Sequence, residues 1–300
     1  SERKNKLERI DFTHLKDKIM INIIHKITFA LLLLLVFCCE DSNINREFSD
    51  TPTSFTKKVL LEEFTGSWCG YCPSGAEILQ NLMNSYSVIG VALHSSDDMS
   101  IAHTSVLESF YPSSGYPSGM VDRINFDGIV GLNRGYWSYI TDQQLQKSAI
   151  CGLAINSEIS GDSVNIQIRS AFDTTMTMEN YNLNVYIIED DVQGEGYGYD
   201  QRNYYNDDAE SSFYQLGDPI INYKHNQTLR KVLTNTYGIP FTSSSSPGTE
   251  FIDNFKEDIT NFNKNKLSVV AFITYNGAAA TNHEVLNAQK CDIDGFQDWD

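Results

Sequence analysis

Cys69 and Cys72 stand two residues apart in the stretch GSWCGYCPSG, residues 66–75. Two cysteines at this spacing can cycle between a dithiol and a disulfide. The first thiolate attacks a foreign disulfide, and the second thiol breaks the mixed disulfide that results. They can also supply half of a four-ligand zinc site. Zinc would want a second close pair, and the chain offers neither another CxxC nor an HxxxH; Cys151 and Cys291 are single and far apart. The pattern therefore reads as redox chemistry with no metal.

Other candidates surround the pair. Glu63 lies six residues before Cys69. A carboxyl buried there has a raised pKa and can take a proton from the second thiol; a solvated charge at a strand end is the plainer alternative. Trp68, Tyr71 and Tyr116 are candidate substrate contacts beside the thiols. His94 reads as a structural histidine at a strand end, close enough in the chain order to approach the cysteines. Pro117 sits in GYPSGMVDR, residues 115–123, before a short apolar stretch.

These residues need elements to hold them. KVLLEEF (58–64) predicts a short strand, and SVIGVALH (87–94) a second, buried one. Between them SGAEILQNLMNSY spaces Ala76, Leu79, Leu82 and Met83 as one face of a helix. Cys69 thus falls between a strand and a helix start, where free N–H groups and partial positive charge favour a thiolate. Pro73 is tolerated in the first helical turn. A helix near 100–110, a strand after Pro117 and a closing helix over 136–149 complete this half. The order strand, WCxxC, helix, strand, proline, hairpin resembles the thioredoxin-like superfamily. The resemblance implies that Cys69 is the exposed nucleophile, Cys72 the resolving thiol, Pro117 the cis-proline flanking the disulfide and Glu63 the buried acid. Gly-Tyr between the cysteines and Pro73 after them depart from the usual Gly-Pro and basic residue, so the family's redox potential is not carried over.

The pattern changes at residue 150. LAINSEIS and SVNIQIRS alternate apolar with polar residues about Gly161-Asp162, a hairpin signal. LNVYIIED, LSVVAFITY and HEVLNAQKCDI follow as further strands. They predict an antiparallel β-sandwich, immunoglobulin-like in layout. Residues 190–224, rich in Asp, Gly and Tyr, read as a solvated loop. Its carboxylates (Asp190, Asp191, Glu195, Asp200, Asp207, Asp208) could ligate calcium, but their spacing fits no EF-hand; its tyrosines could serve a binding surface. Cys151 and Cys291 are either a structural disulfide or two buried thiols.

The apolar run ITFALLLLLVF, residues 27–37, is too short to span a bilayer and reads as the core of a signal peptide, with Met20 as the natural start. Cys38 and Cys39 directly after it fit lipid acylation, Cys39 better than Cys38. The expected organisation is a signal region over 1–39, a polar tether over 40–57, a thioredoxin-like domain over 58–149 and a β-sandwich domain over 150–300. A net charge of −17 argues against nucleic acid and against a polybasic membrane-surface mode. Without a GxGxxG or P-loop, no nucleotide, flavin or other cofactor is expected.

A wider resemblance spans roughly 58–295. VLLEEFTGSWCGYCP, GYPSGMVDR, YKHNQTLRKVL and VLNAQ together resemble the twenty-eight-kilodalton outer-membrane lipoprotein family of Gram-negative anaerobes. It implies a lipid anchor, a place in the outer membrane, a thioredoxin-like half and a β-sandwich. Two functions follow as expectations. One is a lipid-anchored thiol–disulfide oxidoreductase serving exported client proteins with a separate redox partner. The other is an envelope lipoprotein that binds a protein or glycan on a thioredoxin-like scaffold.

Overall fold

The computed structural model describes residues 46–300; Met20, the apolar run and the acylation candidates Cys38 and Cys39 lie outside the described residues. The first half runs Val59–Thr65 (β1), Cys72–Ser85 (α1), Val88–His94 (β2), Ala102–Phe110 (α2), Ser118–Val121 (β3), Leu132–Asn133 (β4) and Trp137–Leu145 (α3). These elements fall within a few residues of the predicted ones. β1 is central: it pairs in parallel with β2 and antiparallel with β3. A strand covered on both faces should be apolar throughout, and β1 departs from that at Glu62, Glu63 and Thr65.

From Cys151 the chain is β-rich. It continues as Cys151–Ser160 (β5), Ser163–Phe172 (β6), Tyr181–Glu189 (β7), Thr228–Val232 (β8), Ile239–Pro240 (β9), Glu250–Asp258 (β10), Leu267–Tyr275 (β11), Val285–Asp292 (β12) and Phe296–Gln297 (β13). β5 and β6 form the expected hairpin, Ser160 opposite Ser163. Among the described residues the strands make two sheets. One has the order β12-β11-β7-β8-β2-β1-β3-β4, with β9 attached to β7; the other is β10-β6-β5-β13.

The larger sheet passes through the change of pattern at residue 150. β8 pairs with β2 at Thr228 and Ala92, and the Ala92 N–H donates to the Gln227 carbonyl at 2.7 Å. Residues 47–300 form one compact unit. Alternation along the strands sorts the core by face. Leu60 and Phe64 of β1, Leu107 of α2, and Tyr186, Ile188, Val270 and Phe272 of β7 and β11 form one cluster on one face. On the opposite face Leu61 packs with Leu79 of α1 and Trp137 and Ile140 of α3. Further along that face, Val185 and Val269 pack against Ile155 and Ile166 of the smaller sheet.

Cys151 and Cys291 are both buried and are not bonded to each other, so of the two readings from sequence the structure holds two buried thiols rather than a disulfide. The reason is register. The Cys151 carbonyl accepts from Asn287 Nδ2 at 2.8 Å, and the Leu153 carbonyl from Gln289 Nε2 at 3.4 Å. Cys151 therefore lies opposite Asn287, and Cys291 is four residues further along β12. At ~3.3 Å per strand residue that is roughly 13 Å, about twice the Cα separation a disulfide spans. Burial pushes the Cys151 thiol up to about 12, so it stays a thiol.

Candidate functional site

The sulfurs of Cys69 and Cys72 are bonded at 2.14 Å, with their Cα atoms 5.3 Å apart. Both sit where β1 hands over to α1. Cys69 lies in the turn, its N–H donating to the Gly66 carbonyl at 3.0 Å, and Cys72 is the first residue of the helix. Pro73 occupies the first turn, and no acidic residue stands there to oppose the positive helix end. Cys69 is 5% exposed and Cys72 1%, so the nucleophile expected to be exposed is buried here, because the segment that crosses the motif covers it, though it remains the more open of the two.

The pleat of β1 aims its two glutamates apart. Glu62 shares the face of Leu60 and Phe64. There Arg123 grips it through two bonds of 2.6 and 2.7 Å, all of it buried. Glu63 shares the face of Leu61, under α1. Its Oε1 has no hydrogen-bond partner among the described residues. Gly75 makes room for it: a Cβ on Gly75 would lie 2.2 Å from Glu63 Oε1 and 2.9 Å from Pro117 Cβ. Burial pushes the Glu63 carboxyl up to about 8, and the Arg134 charge pulls it back only in part. Of the two readings of Glu63 from sequence, a buried acid and a solvated charge, the site holds the first.

Pro117 faces Gly75 from the far side of the same space, and the Tyr116–Pro117 peptide is cis. Tyr116 stacks edge-on against Trp68 at 5.0 Å, and the Trp68 Nε1–H donates to the Ser95 carbonyl at 2.7 Å. Tyr71 is 50% exposed beside the motif. The predicted residues Glu63, Trp68, Cys69, Tyr71, Cys72, Tyr116 and Pro117 thus gather at one end of β1. His94 bonds Asp97 at 2.7 Å through Nδ1, the structural role expected. It also lines a cavity of about 180 Å³ shared with Glu63, Cys72, Gln201, Tyr223 and His225. Burial, with His94 adjoining, holds the His225 imidazole near 4, so it is neutral at ordinary pH.

Sequence reasoning missed Gln201, Tyr223 and His225, all supplied by the connection between β7 and β8. That connection was read as solvated, yet it crosses the motif. The Arg202 N–H donates to the Ser67 carbonyl at 2.7 Å and the Tyr204 N–H to the Gly70 carbonyl at 2.9 Å. The advance signals were its density of tyrosines and, for Tyr223 and His225, their place in the YKHNQTLRKVL stretch that carries the family resemblance. Two of its carboxylates have other duties: Asp190 accepts from the Gln227 N–H at 2.7 Å, and Asp191 pairs with Lys224 and Lys266.

Among solved structures the chain is similar to HBP35 of Porphyromonas gingivalis at 19% identity, with a TM-score of 0.61, covering 80% of this chain and 76% of that one. That likeness is one of fold. It is also matched by a protein from Agrobacterium tumefaciens (12% identity, TM-score 0.48, 78% of this chain and 94% of that one). A domain of the outer membrane lipoprotein Omp28 from Porphyromonas gingivalis matches at 12% identity, TM-score 0.29, over 48% of this chain and 88% of that one. No curated protein matches the chain. The family described as outer membrane protein Omp28 matches residues 104–295, most of the chain. This protein belongs to that outer membrane protein family, and its place is the outer membrane of the cell envelope.

Proposed function

We propose that the protein is a thiol–disulfide oxidoreductase of the envelope, acting on exported proteins through Cys69 and Cys72. One observation carries the reading: a bonded cysteine pair at a helix N-terminus, above a buried carboxyl raised to about 8. In the same reading residues 58–149 are thioredoxin-like. The order β2-β1-β3-β4, the α1 crossover and the proline before β3 support this. The two facing β-layers after residue 150 support an immunoglobulin-like sandwich.

The exchange balances without a cofactor. A client thiolate attacks the Cys69 sulfur; a client–Cys69 bond forms and the Cys69–Cys72 bond breaks. Cys72 leaves as a thiolate and takes the proton of Glu63, which at neutral pH is mostly protonated. A second client thiolate attacks the client sulfur of the mixed disulfide, releasing Cys69 as a thiolate and the client as a disulfide. Two electrons pass from client to protein, and the same steps run backwards with a client disulfide. Return to the starting state falls to a second thiol–disulfide partner. Trp68, Tyr71, Tyr116 and Pro117 are the surface on which a client would lie.

A second reading has its own support. The family match begins at residue 104, after the CxxC, so membership in the family does not depend on the thiols. It makes the protein an envelope lipoprotein that binds a protein or glycan, with the redox-like half as scaffold. One experiment separates the two. Cys72→Ser is expected to trap clients on Cys69 as thiol-sensitive higher-mass bands on a non-reducing gel, and Cys69→Ser to trap none. Equal trapping by both variants would favour the binding reading.

A further inference from the structure

The connection between β7 and β8 lays residues 197–205 across the redox loop as a strap. At its centre is Gln201, 2% exposed. Its side-chain nitrogen lies 2.9 Å from the Cys69 carbonyl oxygen and 3.2 Å from that of Ser67. The carbonyls of Arg202 and Gly66 stand at 3.1 and 3.4 Å as well; the amide has two hydrogens for these four oxygens, and the Cys69 carbonyl is the nearest. The strap is fixed on its own side. Gln201 exchanges two backbone bonds with Ile220, at 3.1 and 2.7 Å. Asn203 Nδ2 donates to the carbonyls of Phe213 and Gly217, each at 2.9 Å. Contact with the motif is close enough that a Cβ on Gly70 would fall 2.4 Å from the Tyr204 ring. Such a brace is a costly way to cover a loop that only needs covering. Its central donor is aimed at the carbonyl of the cysteine whose sulfur must carry negative charge.

We infer that Gln201 is a positioning residue of the redox centre, setting the thiolate stability of Cys69 from the other half of the chain. The inference rests on the oxidoreductase reading above. The physical route is short. The oxygen end of the Cys69 carbonyl is negative and lies within the residue whose thiolate must be stabilised. Donation from a buried amide draws that negative potential away and fixes the turn that presents Cys69 to the helix N-terminus. Both effects favour the thiolate. A thiolate stabilised in the reduced state makes the couple more oxidising. The β-rich half is then part of the redox centre.

The test uses the full chain with Gln201→Met, which keeps the length and removes the donor, and Gln201→Asn, which keeps the amide but shortens its reach. Two quantities are read: the equilibrium constant of the Cys69–Cys72 couple with glutathione, and the Cys69 thiol pKa from thiolate absorbance. Gln201→Met is expected to raise the thiol pKa and shift the equilibrium about tenfold toward the protein disulfide, ~30 mV for a two-electron couple. Gln201→Asn should fall between it and the wild type. If Gln201→Met does not fold, Gln201→Asn alone decides, and a several-fold shift in the same direction is required of it. Lower thermal stability with an unchanged equilibrium and thiol pKa would make Gln201 a structural brace only and overturn the inference. A wild-type couple that does not exchange with glutathione at all would sink the oxidoreductase reading and this inference together. Trapping by Cys72→Ser with no Gln201 effect would sink this inference alone.

Discussion

Adjacent glutamates in β1 meet opposite conditions, and the difference is chemical. Glu62 has a guanidinium across two short bonds, so its charge is matched where it is buried. Glu63 has no such partner for Oε1 and keeps its proton instead. That preference has a sign in stability. Below about pH 4.5, the carboxyl's ordinary value, folded and unfolded chains both hold the proton; between there and about 8 only the folded chain does. Where the folded state binds more protons, stability falls as pH rises. The pH-dependent cost of burying Glu63 should therefore be absent at low pH and reach on the order of a few kcal/mol by alkaline pH. Glu63→Gln is predicted to remove that component of the slope, leaving the variant more stable than the wild type above pH 8 while slowing thiol exchange. Urea unfolding of both proteins at acid and alkaline pH would check it. A wild type and variant whose difference in stability is the same at both pH values would mean that Glu63 is ionised in the fold.

The helix α1 shows what an element adds. Glycine in a helix costs ~1 kcal/mol against alanine, so by propensity alone Gly75→Ala should stabilise the protein. The geometry says otherwise. The new methyl would meet Glu63 Oε1 at 2.2 Å and Pro117 Cβ at 2.9 Å; the Glu63 carboxyl is fully buried, which limits where it can swing, and the proline ring is tied to its own backbone. Overpacking of this kind costs ~1–3 kcal/mol, enough to outweigh the helix gain. Gly75→Ala is predicted to lower the urea midpoint and to disturb thiol exchange through Glu63 and Pro117. An unchanged or raised midpoint would show that the space under α1 can expand. This site was legible in the sequence where local pattern determines it. Apolar runs placed β1 and β2, helical spacing placed α1, and WCGYCP fell between them. Gln201 was not legible. It lies 132 residues from Cys69, and a polar, Asp-, Gly- and Tyr-rich segment has the same composition whether it waves in solvent or binds a loop. Nor could sequence fix the partner of Cys151, because strand register across two layers decides it and local spacing does not.

At the scale of the molecule, residue 150 marks where the pattern changes but not where the sheet ends. The cluster beneath α2 draws Leu60, Phe64, Ile89 and Val91 from one side of that point and Tyr186, Ile188, Leu229, Val270 and Phe272 from the other. Arg123, the buried partner of Glu62, also donates to Tyr186 Oη at 3.1 Å. A fragment ending at 149 would lose these partners and expose β2 along the edge that β8 covers. Large apolar side chains contribute ~1.5–3 kcal/mol each when buried, and the five named are removed from this one cluster together with Val285 and Ala288. A domain's whole net stability is about 5–15 kcal/mol. The loss is comparable to or greater than what such a fragment could have in hand. Residues 46–149 expressed alone are therefore predicted to lack fixed tertiary packing, seen as a lost near-ultraviolet circular dichroism signal and a broad urea transition. The intact chain should unfold in a single cooperative step with its thiol chemistry lost in the same transition. If instead the fragment folds cooperatively and keeps exchange with glutathione, the two halves are separate domains that share a sheet edge without depending on it, and the strap from the β-rich half would be dispensable to the thiols.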